Sequence, residues 1–283
     1  MTFDPTTMPL TTLNNGQKLP QLGLGVYKVG QDIAVHLVQT AIERGYRRID
    51  TAALYDNEQE VGAGINRSGV AREEIFVTTK IWNDRQSYHD AVEAIDESIA
   101  RLNIGYVDMM LIHWPAPKQG KFLEAWVALE EALATGKVRG IGVSNFQPHH
   151  LESLTSIRRD GSVPTMPAIN QVELNPGFQQ AEVRAFNKAH GIATEAWSPL
   201  ARGRMSDLEV LTNIAAAHGK SPAQVILRWH IQLDNLVIPK SSHPDRLEEN
   251  INVFDFTLTE AEMNLIKGLD TGVRTGLNPD EFD

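Results

Sequence analysis

Four polar residues stand at or just beyond the ends of apolar runs in the first half of the chain, and their types are those a proton-transfer site needs. Asp50 closes Tyr46-Arg47-Arg48-Ile49-Asp50, Lys80 closes Ile75-Phe76-Val77-Thr78-Thr79-Lys80, and His113 closes Met109-Met110-Leu111-Ile112-His113; Tyr55 lies in the segment just after Asp50. A lysine inside an apolar run needs a charge partner, because an isolated ammonium is almost never buried. Asp50 is suited to that part, and the ammonium so held is expected to lower the pKa of Tyr55 from its usual value near 10. A tyrosine tuned in this way can hand a proton to a carbonyl oxygen near neutral pH. Singly, each residue has a plainer reading: Asp50 as a strand-end cap, Tyr55 as a rim aromatic, His113 as a satisfied core histidine. Together they describe a site.

What could bring them together is visible in the rest of the chain. From Leu22 onward, apolar or β-branched runs alternate with amphipathic stretches, the pattern of βα units around a parallel sheet. The candidate strands are Leu22–Val29, Arg47–Ala52, Ile75–Ile81, Val107–His113, Val138–Ser144, Ala168–Leu174, Ala193–Ser198 and Leu236–Lys240. That number fits a closed (β/α)₈ TIM barrel, whose active site sits at the carboxyl ends of the strands, where Asp50, Lys80 and His113 stand. Between strands, Ile33, Leu37, Val38, Ala41 and Ile42 share one helical face, as do Val92, Ile95, Ile99 and Leu102, and Phe122, Trp126, Leu129 and Leu133. Gly45 and Gly136 follow helical segments where a left-handed residue is wanted. Leu10–Leu13 and Gln17–Leu19 flank Asn14-Asn15-Gly16 and read as a hairpin that plugs the barrel floor. No linker or low-complexity tract interrupts the pattern, so residues 1–283 are expected to form one barrel domain.

Composition narrows the function. The net charge is −10, which argues against nucleic acid or an anionic membrane as partner. Cysteine is absent, which removes thiolate nucleophiles, disulfides and Cys-based metal sites. The first ten residues lack the basic leader and apolar core of a signal peptide, and no run reaches the roughly 20 apolar residues of a membrane span. A cytoplasmic, monomeric protein is expected. No bound metal is expected either. A metal-dependent barrel hydrolase would want His-x-His at the first strand end and a carboxylate at the last, and His149-His150 reads as a solvated helix start rather than a ligand pair.

An ordered set of segments now resembles one family, the aldo-keto reductases, and within it bacterial reductases of the 2,5-diketo-gluconate type. The segments are Gly25-Val26-Tyr27-Lys28-Val29, Ile49-Asp50-Thr51-Ala52-Ala53-Leu54-Tyr55, Thr79-Lys80-Ile81-Trp82-Asn83-Asp84, Leu111-Ile112-His113-Trp114-Pro115, Gly140-Ile141-Gly142-Val143-Ser144-Asn145-Phe146 and Ile238-Pro239-Lys240-Ser241. The resemblance implies that Asp50, Tyr55, Lys80 and His113 are the catalytic tetrad, with Tyr55 protonating the substrate oxygen and His113 orienting the carbonyl. The hydride has to come from a cofactor, since no side chain can supply one.

No Gly-x-Gly-x-x-Gly joins a strand to a helix here, so a Rossmann site is absent. The resemblance instead implies an NADPH site of the barrel type. Ser144, Asn145 and Gln171 would hold the nicotinamide carboxamide, Trp197 would stack on its ring, and Ser198-Pro199-Leu200 would cover the pyrophosphate. Lys240, Ser241, Ser242, His243 and Arg246 would meet the 2′-phosphate, with Glu249 and Asn250 near the adenine. His243 departs from the arginine that close relatives often carry there, and lacks a guanidinium plane. Tyr27, Trp82 and Trp114 would wall the substrate pocket, and the tail from Gly272 to Asp283 would close one side. The short loops Pro115–Lys121 and Ala201–Leu208 suggest an open cleft for small aldehydes, keto sugars and dicarbonyls. The competing reading within this fold is a non-catalytic NADPH sensor, such as a channel-associated β subunit.

Overall fold

Each apolar run is followed by enough chain to cross back over a sheet, and that spacing makes the strands parallel. The computed structural model describes residues 3–156 and 161–283. Two strands, β1 (Leu10–Thr12) and β2 (Lys18–Pro20), form an antiparallel hairpin. Eight more follow one another around a single parallel sheet: β3 (Leu24–Gly25), β4 (Arg48–Asp50), β5 (Phe76–Ile81), β6 (Met109–Ile112), β7 (Ile141–Ser144), β8 (Ile169–Glu173), β9 (Ala193–Trp197) and β10 (Leu236–Val237). Bridges from Leu22 to Val237 and from Gly25 to Lys240 join the last strand to the first, so the sheet closes into the expected (β/α)₈ barrel. Among the described residues no helix is long and apolar enough to cross a membrane.

The seam strands are shorter than expected. Regular pairing covers only Leu24–Gly25 and Leu236–Val237, where the alternation suggested Leu22–Val29 and Leu236–Lys240. Pro239 has no N–H to give, which ends the ladder, while the guanidinium of Arg48 adds bonds to the seam carbonyls of Val237 at 2.7 Å and Gln21 at 3.3 Å, which also accept from the N–H groups of Gly23 and Val237. Gly23 makes room for that guanidinium, since a Cβ there would lie 2.6 Å from Arg48 Nε.

The floor is closed by the hairpin as expected. Gly16 turns it with φ of 84°, Leu13 N–H reaches Gln17 O at 2.8 Å, and Leu13 and Leu19 pack with Phe76, Met109, Leu111, Ile169 and Leu236. Side-chain amides of Asn14 and Gln17 donate to the carbonyls of Pro167 and Asp108, fastening the plug to the barrel.

Outer helices lie where the periodicity put them, with one correction. The Gln31–Glu43 helix buries Ala34, Leu37, Val38, Ala41 and Ile42, whereas Ile33 points outward and is 38% exposed. Ala34, not Ile33, completes the stripe, because Leu37 and Val38 are its i+3 and i+4 neighbours. Gly45 and Gly136 take the left-handed conformation, with φ of 102° and 76°.

One buried carboxylate links the helices that back β5 to the strand and to each other. In the Glu58–Arg67 helix, Glu58 is buried and accepts from Thr79 Oγ1 at 2.5 Å and from Arg101 Nε at 2.7 Å, tying that helix to β5 and to the Tyr88–Leu102 helix. Close approach is possible because residue 62 is glycine: a Cβ would stand 1.8 Å from the carbonyl oxygen of Leu102. Gly62→Ala should therefore destabilise the protein by about 1–3 kcal/mol, the usual range for overpacking. A thermal melt checks this, and an unchanged Tm would show that the two helices are not in tight register there.

Candidate functional site

The tetrad positions meet at the carboxyl end of the barrel. Lys80 ends β5 with its side chain fully buried, and its Nζ donates to Asp50 Oδ1 at 2.7 Å, to the carbonyl of Thr51 at 2.8 Å and to Tyr55 Oη at 3.3 Å. Three acceptors thus surround an ammonium that has no access to water. Asp50 keeps its other oxygen for the amide of Gln171, at 2.8 Å. Tyr55 sits in a short 3₁₀ turn, Ala53–Tyr55, that brings its ring edge-on to His113, with centroids 5.7 Å apart at 73°.

Electrostatics correct one expectation. Burial pushes the Tyr55 phenol up to about 12; Lys80 pulls against that rise, but desolvation of a phenolate outweighs it. The sequence shows the cation beside Tyr55 but not how deeply the phenol is buried. Tyr55 therefore keeps its proton over the whole neutral range, as an acid and not as a phenolate. His113 is driven well below the ordinary histidine range by burial and by the Lys80 charge, so its ring is neutral, and its Nδ1 meets no protein partner among the described residues.

Above these groups lies a cavity of about 530 Å³. Asp50, Tyr55 and His113 reach its floor, Tyr27, Trp82 and Trp114 form aromatic walls, and Ser144, Asn145, Gln171, Trp197, Ser198 and Lys240 also line it. Lys80 stands behind the lining. Pro199, Leu200, Ser241, Ser242, His243, Arg246, Glu249 and Asn250 fall outside this cavity. Ser241 spends its hydroxyl on its own turn, donating to the carbonyl of His243 and accepting from that residue's N–H. Glu249 accepts from Ser221 Oγ, and Asn250 is buried. Lys240, His243 and Arg246 remain as exposed basic side chains at the start of the Pro244–Ile251 helix.

A dinucleotide suits this lining. Gln171 gives its amide N–H groups to Asp50 and Glu195, which leaves its carbonyl without a protein donor among the described residues. Asn145 is held by three bonds: its amide donates to His113 O and Ser144 Oγ, and its oxygen accepts from Trp197 Nε1 at 2.8 Å. Two further cations line the cavity that the sequence reading passed over, Lys28 and Arg202. Both have positive φ, as do Asn145 and Ser198, at 56°, 56°, 65° and 48°. Non-glycine residues in that region cost of order 1–3 kcal/mol each and cluster at ligand clamps.

The tail closes one side of the cavity, and more tightly than the loop lengths suggested. Glu173 accepts from the N–H and hydroxyl of Thr275 and from Gly276 N–H, while Lys118 in the loop after β6 pairs with Asp283 at 3.1 Å. Phe282 then packs on Trp114 and Trp82, at 4.9 and 6.1 Å between centroids. Gly276 is needed here, because a Cβ would lie 2.5 Å from the Trp197 ring.

His149 and His150 also belong to the tail's anchorage. The expectation of a solvated helix start fits His149 alone; His150 is 4% exposed, since its ring packs against Phe122 and Phe146 and caps the helix by accepting from Gln147 N–H. Both Nε2 atoms approach Asp280 Oδ1, at 3.2 and 3.5 Å. With its Nδ1 accepting, a neutral His150 carries its proton on Nε2, which makes it a donor to Asp280 and ill-suited to ligate a metal through that atom.

Comparison with known proteins agrees with the geometry. Residues 21–271 match the family model described as Aldo/keto reductase family. Glyoxal reductase from Bacillus subtilis is 48% identical over 280 residues, covering 98% of this chain and 99% of that protein. A crystal structure of a Gox0644 mutant in complex with NADPH aligns with a TM-score of 0.91 at 42% identity, over 98% of this chain and 99% of the other. The Bombyx mori aldo-keto reductase in complex with NADP aligns at 0.88 and 36% identity, over 97% of each. The chain belongs to the aldo-keto reductase family.

Proposed function

We propose that this protein is an NADPH-dependent reductase of small aldehydes, ketones and dicarbonyls, with Tyr55 as the general acid. The observation that supports it most is the fully buried ammonium of Lys80, bonded to both Asp50 and Tyr55 at the floor of an aromatic cavity. The same device weighs against a non-catalytic cofactor sensor.

NADPH bound in the cleft would supply the hydride. Gln171 and Asn145 would hold its carboxamide, and Lys240, His243 and Arg246 its 2′-phosphate, consistent with Lys240 and Arg246 placed at one helix start in a chain of net charge −10. Tyr55 Oη and the neutral His113 ring together form the oxyanion site: one gives its proton to the substrate oxygen, the other a hydrogen bond. As Tyr55 becomes phenolate, Lys80 at 3.3 Å stabilises the new charge, and Asp50 keeps Lys80 protonated and in place. Tyr27, Trp82, Trp114 and Phe282 exclude water and leave room for small substrates. The name of one relative, the glyoxal reductase, fits dicarbonyls.

Three outcomes test this. Tyr55→Phe should keep NADPH binding near wild type, measured by fluorescence quenching, while kcat for a dicarbonyl such as glyoxal falls ~10²–10⁴-fold. A variant retaining a tenth of wild-type turnover would remove Tyr55 from the mechanism.

Lys80→Met should move the alkaline limb of the pH–rate profile upward, because the cation that holds Tyr55 down is gone. It should also cost roughly 3–5 kcal/mol of stability, since Asp50 is left buried and unpaired. An unmoved limb would show that Lys80 does not tune Tyr55.

His243→Arg should tighten NADPH at pH 8 by about 1 kcal/mol and leave NADH unaffected, because the guanidinium stays charged where a histidine is ordinarily neutral. Equal effects on the two cofactors would place residue 243 away from the 2′-phosphate.

A further inference from the structure

One side-chain layer below the tetrad lies a second buried ion pair that the mechanism above does not use. Side chains two apart on a strand share a face, so Arg48 lies under Asp50 and Glu195 under Trp197. Across the barrel, Arg48 Nη1 stands 2.8 Å from Glu195 Oε1, each side chain 1% exposed. The second oxygen of Glu195 accepts from Gln171 Nε2 at 2.5 Å, and the same nitrogen donates to Asp50 Oδ2. The Arg48–Glu195 ion pair is thus joined to the tetrad by the hydrogen bonds Glu195–Gln171–Asp50–Lys80–Tyr55.

We infer that Glu195 is a positioning residue for the reaction, fixing the Gln171 amide for the cofactor and balancing the charge that Lys80 feels. The inference rests on the reductase reading and extends it one layer inward. Two carboxylates claim the N–H groups of Gln171, so its carbonyl is the group left for an incoming carboxamide donor. Glu195 holds one of the two claims, and without it the amide can turn.

The strip is also electrically closed, with Arg48 and Lys80 against Asp50 and Glu195. The groups that face Lys80 are Asp50, Tyr55 and Glu195, which favour its charge or share its proton, and the neutral His113. Removing Glu195 leaves one uncompensated cation in the barrel. Lys80 then loses its proton more readily, and the Lys80–Tyr55 unit ionises at lower pH. This shift is opposite in sign to that of Lys80→Met.

The test uses Glu195→Met and the charge-balanced double variant Arg48→Met/Glu195→Met, with NADPH affinity by fluorescence quenching and the pH–rate profile as separate readouts. The single variant should bind NADPH about tenfold more weakly, the loss expected of one charged hydrogen bond, and its alkaline limb should move to lower pH. The double variant should recover the wild-type limb yet keep the weak binding, because Gln171 still lacks its acceptor. A merely structural ion pair would move neither limb. Unchanged NADPH affinity in the double variant, which carries the test if the single one does not fold, overturns the inference, as does a limb that stays displaced after the charge is balanced. If the wild-type protein itself neither binds NADPH nor reduces a dicarbonyl, the reductase reading falls too. If the wild type does both and the variants match it, only the role of Glu195 is lost.

Discussion

A lysine ammonium without water dictates the rest of this molecule. Lys80 is fully buried, and the cost of desolvating it is met by Asp50, a backbone carbonyl and the Tyr55 hydroxyl, all within 3.3 Å. Those partners come from β4 and from the turn after it, while Lys80 itself sits on β5, so the ion pair requires a barrel that holds neighbouring strand ends in fixed register. Sheet closure at the Leu22–Val237 bridge and the hairpin plug at the floor supply that rigidity from below. The outer helices mostly cover the strands with apolar stripes; the exception is the Glu58–Arg67 helix, held to β5 and its neighbour by buried Glu58.

Much of this was open to reading from the chain. A lysine among Phe76, Val77 and Ile81 is chemically conspicuous, and an aspartate one strand earlier is its obvious partner. Closure into eight strands followed from the repeat of βα spacing. Residues whose value depends on distance were not legible. Glu195, in Ala193-Thr194-Glu195-Ala196-Trp197, looks like an ordinary polar alternation until the barrel brings Arg48 to it. A signal existed: strand period two places residues 48 and 195 on the same inward face as 50 and 197. The rise in the Tyr55 pKa was not legible either, because the sequence shows which charges lie near but not how much water has left. The tail was foreseen, but Asp280 finds His149 and His150 only through long-range packing.

The mouth and the floor of the barrel are thus held by different physics. Below, Leu13, Leu19, Leu111 and Leu236 meet as hydrocarbon. Above, a strip of four charges is threaded through one glutamine, bordered by residues kept in left-handed backbone. Rigid strands end in polar groups that are already oriented, so little has to reorganise when charge develops on a bound oxygen.

The two layers also answer heat differently. Hydration of ions weakens as temperature rises, so the penalty for burying Arg48, Asp50, Lys80 and Glu195 shrinks, while the stabilisation from apolar burial levels off. Warming therefore favours the charged storey over the greasy one. On cooling, the apolar contribution and the tolerance for buried ions decline together, so the two storeys lose strength in the same direction, whereas on heating the charged one is left to oppose the rising weight of chain entropy.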